Sequence, residues 1–215
     1  MVPMDKEYKD LIVEKYREIL IGEWILVKNI FLIHSVNGNT INSFAGSVEK
    51  FCKDNNINYY YPIFPLRAEA SPESWGKVLD EYRAKGLLNS ESMVITHSIG
   101  TKFIPKYLVK NDIHIDTFVS VAGFVDYVGR TDYLKDVTEI FKITDQEFSR
   151  CRELIKNRFS IYSDNDMNPI EKCIKYADKL GANKFLVEGA GHFTIENGVT
   201  EIEPLNVMLN NYINK

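Results

Sequence analysis

Residues 92–108 read Ser-Met-Val-Ile-Thr-His-Ser-Ile-Gly-Thr-Lys-Phe-Ile-Pro-Lys-Tyr-Leu. Ser92 to Thr96 is a short run of strand formers. From Ile99 the apolar positions Phe103, Ile104, Tyr107 and Leu108 then recur at the three- and four-residue spacing of a helix. Ser98 falls at the junction. In a sharp strand-to-helix turn a serine projects over the sheet edge, and its neighbours two positions away must be small. Gly100 meets that demand, whereas Thr96 is larger and predicts a slightly opened turn. The N–H groups that begin the helix favour negative charge developing beside Ser98.

The same alternation extends in both directions. Asn29 to His34, Ile57 to Phe64, Thr117 to Ala122, Phe159 to Tyr162 and Lys184 to Val187 read as further strands, with Pro62 and Pro65 ending the second because proline donates nothing to a ladder. Helical patterns fall around Ser43 to Asp54, Ser71 to Tyr82, Val137 to Phe141, Asp145 to Lys156, Ile170 to Leu180 and Glu203 to Asn211. Pro105 predicts a kink in the helix after Ser98. Strands alternating with helices predict an α/β fold with a mainly parallel sheet of about six strands and helices on both faces. In such a sheet the ligand site lies at the carboxyl ends of the strands.

Composition narrows the function classes. The chain has 215 residues, 45% hydrophobic and 26% charged, with a formal net charge of -4, which fits one packed domain and excludes disorder and collagen-like repeats. No basic cluster is dense enough for phosphate-backbone contacts, so no nucleic-acid partner is expected. Cys52, Cys151 and Cys173 show neither C-x-x-C nor Cys/His ligand spacing, so no metal site and no disulfide framework is indicated, and a reducing compartment fits. The charged N-terminus and the lack of an 18-residue apolar window predict a cytoplasmic protein with no membrane partner.

A Ser-x-Gly arises by chance about once in such a length. Ser74-Trp75-Gly76 is such a case, inside an amphipathic helix with no strand before it, and predicts a surface serine. A serine nucleophile also needs a base, and the base an orienting acid. Both occur after later strands: Ser163-Asp164-Asn165-Asp166 follows Ile161-Tyr162, and Ala190-Gly191-His192-Phe193 follows Phe185-Leu186-Val187. Ser98, Asp166 and His192 stand in the chain order of the α/β hydrolases. Asp166 is the preferred acid, three residues after Ser163 and shortly before Pro169, with Asp164 the alternative. The oxyanion donors expected are the backbone amides of Ile99 and of Val36, in the loop His34-Ser35-Val36-Asn37-Gly38. His34 itself is expected to shape that loop, and Trp75, Phe124 and Tyr127 are candidates for an acyl pocket.

With these motifs in view, the chain resembles the small serine hydrolases of the retinoblastoma-binding protein nine type, a compact branch of the α/β-hydrolase superfamily. The likeness rests on Ile33-His34-Ser35, Tyr61-Pro62-Ile63-Phe64-Pro65, Glu73-Ser74-Trp75, Thr96-His97-Ser98-Ile99-Gly100, Val121-Ala122-Gly123-Phe124, Ser163-Asp164-Asn165-Asp166 and Gly191-His192-Phe193. It implies a three-layer α/β-hydrolase fold over residues 29–215, a Ser-Asp-His triad, no large lid and no cofactor. It also tolerates a non-glycine residue at Thr96.

Residues 1–28 lie outside the likeness and read as an amphipathic helical extension that covers an edge or face, or meets a partner. The function expected is a carboxylesterase-like serine hydrolase whose partner is a small-molecule acyl substrate. The alternative is a catalytically silent hydrolase fold that binds protein through the N-terminal helix or the Tyr127 to Leu134 region. Whether the chain is a monomer stays open.

Overall fold

A computed structural model describes residues 27–38, 43–126 and 131–213. The expected extension at residues 1–28 and the aromatic at Tyr127 lie, but for residues 27 and 28, outside the described residues.

Six strands form one sheet: β1 (Asn29–Ile33), β2 (Asn58–Tyr60), β3 (Ser92–His97), β4 (Ile115–Val121), β5 (Ile155–Tyr162) and β6 (Asn183–Leu186). Their order is β2-β1-β3-β4-β5-β6, and every neighbouring pair is parallel. Among the described residues seven α-helices join them: α1 (Ala45–Asp54), α2 (Pro72–Ala84), α3 (Gly100–Asn111), α4 (Asp132–Ile140), α5 (Asp145–Leu154), α6 (Ile170–Leu180) and α7 (Glu203–Ile213). β1, β3 and β4 are buried along their whole length. That is why they read as continuous apolar runs and not as alternating ones.

The period of two still sorts their side chains into two cores. Phe31, Ile33, Val94 and Phe118 face Trp75 of α2, Phe103 of α3, Phe148 of α5 and Tyr176 of α6. Ile30, Leu32, Met93, Ile95 and Val119 face Val48 and Cys52 of α1 and Leu205 and Met208 of α7. Helices thus cover both faces, giving the three layers of an α/β-hydrolase fold.

The second strand is shorter than its apolar run. Only Asn58 to Tyr60 join the ladder, because Pro62 has no N–H to give and the chain turns from the sheet. Pro105 does not break α3, which continues from Gly100 to Asn111. The carbonyl of Thr101, deprived of its donor four residues on, accepts the Tyr176 hydroxyl at 2.6 Å, so the polar group that proline orphans is satisfied from α6. Ser74, expected to be a surface serine, is half-buried and takes part in the helix cap. It is the third residue of α2, and it completes a capping box with Ser71: the Ser74 amide donates to Ser71 Oγ and the Ser71 amide to Ser74 Oγ, both at 3.0 Å.

The chain runs from β1 outward to β2, then returns to place β3 on the other side of β1. The loops after β1 and β3 therefore diverge at a topological switch point, where open α/β sheets hold their ligands.

Candidate active site

Ser98 occupies that switch point with φ of 55°, a left-handed conformation that costs a non-glycine residue of order 1 kcal/mol or more. Three hydrogen bonds hold it there. Its amide donates to Val121 O at 3.0 Å, and its carbonyl accepts from the Thr101 amide at 3.0 Å and the Thr101 hydroxyl at 2.6 Å. The two flanking positions behave differently. A Cβ on Gly100 would lie 3.1 Å from the backbone oxygens of both Ile33 and His34, so this position has no room. Thr96 is buried, and its hydroxyl donates to Val119 O at 3.1 Å. Its extra bulk points along the sheet and is used there as a strand-to-strand bond.

The Oγ of Ser98 lies 3.1 Å from Nε2 of His192. Nδ1 of His192 lies 3.0 and 2.9 Å from the two carboxylate oxygens of Asp166. The Asp166 side chain is fully shielded from solvent and that of His192 is 12% exposed. Three residues distant in sequence, from the loops after β3, β5 and β6, are thus one hydrogen-bonded chain.

The tetrapeptide Ser163-Asp164-Asn165-Asp166 divides its work. Asp164 Oδ1 accepts from the Gly189 amide at 2.8 Å, Ser163 Oγ from Ala190 at 3.0 Å and Asn165 Oδ1 from Gly191 at 2.7 Å. Three consecutive amides of the histidine loop are therefore held by three neighbouring side chains, while the fourth, Asp166, meets the imidazole. The bond from Gly189 keeps the exposed Asp164 carboxyl below its ordinary pKa. Asp164 is thereby committed to the backbone of the loop and Asp166 to its ring. Gly191 has φ of 53°, and a Cβ there would come within 2.5 Å of Asn197, whose Oδ1 accepts the His192 amide at 2.9 Å. Only glycine lets the loop pass this close.

Sequence reasoning left His97 without a role. It is 1% exposed, and its Nε2 lies 2.8 Å from the His192 carbonyl. Burial pushes its pKa down to about 3, so the ring is neutral and the nitrogen facing a carbonyl is the one that carries hydrogen. His97 therefore braces the backbone of His192 from below. The signal in the sequence was its place as the last residue of β3: it alternates with Thr96 across the sheet and so faces the opposite layer. His34 is buried as well. Its Nε2 accepts from the Phe64 amide at 3.0 Å, and Nδ1 lies 2.6 Å from Ser35 O. Burial lowers its pKa, and as a neutral ring it ties the loop after β1 to the segment after β2.

Val36 belongs to that loop. Its carbonyl accepts from Arg67 at 3.3 Å. Among the described residues no group accepts the amides of Val36 or Ile99, and both residues line a pocket of about 260 Å³ beside Ser98 and His192. Phe124, Leu134 and Met167 give this pocket apolar walls. Of the proposed pocket aromatics, Phe124 is present. Trp75 is not: fully buried, it stacks on Phe64 at 4.6 Å between ring centroids, and its indole N–H donates to Pro65 O at 2.8 Å. Among the described residues no cluster of three histidine, cysteine or acidic side chains could hold a metal, and no helix is long and apolar enough to cross a membrane.

Comparison with known proteins identifies the family and the fold. A family model described as serine hydrolase matches residues 65–211. No curated relative matches the chain. Among solved structures, the ydeN gene product from B. subtilis is 20% identical and superposes with a TM-score of 0.73, covering 87% of this chain and 100% of that one. Carboxyl esterase 2 from the mycorrhizal fungus Tuber melanosporum is 11% identical, with a TM-score of 0.62 over 89% of this chain and 79% of that one. A monoacylglycerol lipase from Paleococcus ferrophilus, also 11% identical, gives a TM-score of 0.60 over 86% and 94%. At these identities the likeness is one of fold.

Proposed function

The chain belongs to the serine hydrolase family, and from that premise we propose that it cleaves small esters, thioesters or activated amides through an acyl-enzyme on Ser98. Within the family we place it in the retinoblastoma-binding protein nine branch, on the motifs around Ser98, Asp166 and His192. The observation that carries the reading is the unbroken chain of hydrogen bonds from Asp166 through His192 to the strained Ser98.

Ser98 Oγ attacks the substrate carbonyl carbon while its proton passes to His192 Nε2. Asp166 holds the ring in the tautomer that leaves Nε2 free to accept. The amides of Val36 and Ile99 bind the oxyanion of the tetrahedral intermediate, and a preformed donor of this kind is worth about 3 kcal/mol of transition-state stabilisation. As the intermediate collapses, the carbonyl carbon loses its bond to the leaving group, which takes the proton from His192. Water then repeats the sequence on the acyl-enzyme and frees Ser98. The pocket of about 260 Å³ favours acyl groups of modest size against Phe124, Leu134 and Met167.

A fluorophosphonate probe tests this directly. It is expected to label the wild-type chain and spare Ser98→Ala. Equal labelling of both would remove Ser98 from the mechanism, and silence of the correctly folded wild type would favour the alternative of a binding module that keeps the fold without the reaction.

A further inference from the structure

A second cavity, of about 180 Å³, adjoins the Ser98 pocket, since Phe124 lines both. Such a volume corresponds to about six waters at roughly 30 Å³ each. Four lysines line it: Lys102 from α3, Lys142 from the link between α4 and α5, and Lys175 and Lys179 from α6. Two carboxylates share the walls, and both are engaged. Asp145 pairs with Lys179, and Asp126 lies 3.5 Å from Lys172. Lys142 pairs with Glu139 at 2.9 Å. Among the described residues neither Lys102 nor Lys175 has a carboxylate partner.

Lys102 is the unusual member. The residue is 1% exposed, yet its ammonium makes one hydrogen bond, to Val125 O at 2.6 Å, and lies 4.6 Å from the Phe124 ring centroid. An ammonium has three hydrogens to donate, and burying its charge with no carboxylate in contact is costly, although Asp126 and Glu139 favour that charge from beyond ion-pair distance. Burial accordingly lowers its pKa to about 8. An oxyanion in the adjoining cavity would supply both the missing acceptors and a negative charge in direct contact.

We propose that this cavity binds one small tetrahedral oxyanion of the phosphate class, held by Lys102, Lys175 and Lys142. The cations arrive as separate point charges from three elements. Among the described residues no arginine lines the cavity, so they offer no planar fork that matches a flat carboxylate. The site is independent of the Ser98 chemistry and would exist whether or not that serine reacts.

The test is a titration of the full chain with inorganic phosphate at constant ionic strength, read by the unfolding midpoint and by the phosphorus resonance. A ligand that binds the folded state raises the midpoint with the logarithm of its concentration above Kd. Wild type is expected to show a saturable rise and a matching change in the resonance. The pair Lys142→Glu and Lys175→Glu is expected to weaken binding by about tenfold or more through lost attraction. The control pair Lys50→Glu and Lys53→Glu, on α1, should bind as wild type does. Lys102→Met should also lose binding, and if it fails to fold the Lys142 and Lys175 pair decides. No saturation in wild type, or an equal loss in the control pair, overturns the site. Turnover of a small ester by the Lys142 and Lys175 variant should stay within about twofold of wild type, because neither side chain reaches the Ser98 pocket.

Discussion

The chain contains two Ser-x-Gly turns at helix starts, and they do opposite things. Ser98-Ile99-Gly100 follows a buried strand and enters α3, while Ser74-Trp75-Gly76 lies in the first turns of α2 after an irregular segment. Ser98 has a left-handed backbone, and its hydroxyl faces an imidazole. Ser74 is helical, and its hydroxyl donates to Glu69 O at 2.7 Å while closing the capping box. Before Ser98 stands the buried His97, and before Ser74 the exposed Glu73. The difference lies in what precedes the serine. A strand ending against a neighbouring strand fixes the turn rigidly over the sheet edge, whereas an isolated helix start spends its hydroxyl on its own amides.

The sharpest separation should come from alanine at the two serines. Ser98→Ala is expected to lower kcat for a small ester by about four orders of magnitude or more, with the fold intact by circular dichroism. The same change at Ser74 should leave kcat alone and lower stability by about 1 kcal/mol through loss of the cap, seen as a reduced unfolding midpoint. Comparable turnover by the two variants would erase the distinction drawn above.

His97 supplies the next largest effect. Its bond to the His192 carbonyl predicts that His97→Phe lowers kcat by about tenfold to a hundredfold with little change in KM, because the base is mispositioned while substrate contacts remain. His97→Asn, which can still donate to that carbonyl, should recover part of the loss. His97 also makes a pH prediction. Its folded pKa of about 3 lies below the unfolded value of about 6.5, so between those limits the unfolded chain binds the extra proton, and stability falls as pH drops through this window. The Phe variant should lose acid sensitivity there, measured as a flatter denaturation midpoint against pH. An unchanged slope would show that His97 does not stay neutral in the fold.

Much of this contrast was legible in the sequence. The parallel sheet was readable because Phe31-Leu32-Ile33 and Met93-Val94-Ile95 are long apolar runs set between helical patterns, and full burial of a strand leaves that trace. The chain order of Ser98, Asp166 and His192 was readable because each follows such a run. The choice between Asp164 and Asp166 was less so: two carboxylates two residues apart both sit in a polar loop, and only the fold shows one bonded to the Gly189 amide and the other to the imidazole. The brace by His97 left only the residue's place at the end of β3, and the lysine cavity beside Phe124 left no trace, because both are completed where α3, α6 and the strand ends meet, and no local pattern encodes that meeting. The capping box at Ser74 was obscured by the same Ser-x-Gly spacing that made it look like a decoy.

The two glycines give the finest test of the comparison. A Cβ on Gly100 would meet backbone oxygens of Ile33 and His34 at 3.1 Å, and backbone in a buried loop cannot easily withdraw. Gly100→Ala should therefore shift the loop that carries Val36, lower kcat by about tenfold and destabilise the chain by roughly 1–3 kcal/mol, as overpacking does. A Cβ on Gly76 would lie 3.9 Å from the Tyr107 ring, an ordinary contact. Its backbone is helical, so Gly76→Ala removes conformational freedom from the unfolded chain and should raise stability by about 0.5–1 kcal/mol with no change in turnover. Chemical denaturation of the two variants reads both signs in one experiment. If both changes destabilised equally, room at the second glycine would be no part of the difference. If both were silent, the close approach of β1 to the turn after β3 would not be what holds Ser98 in place.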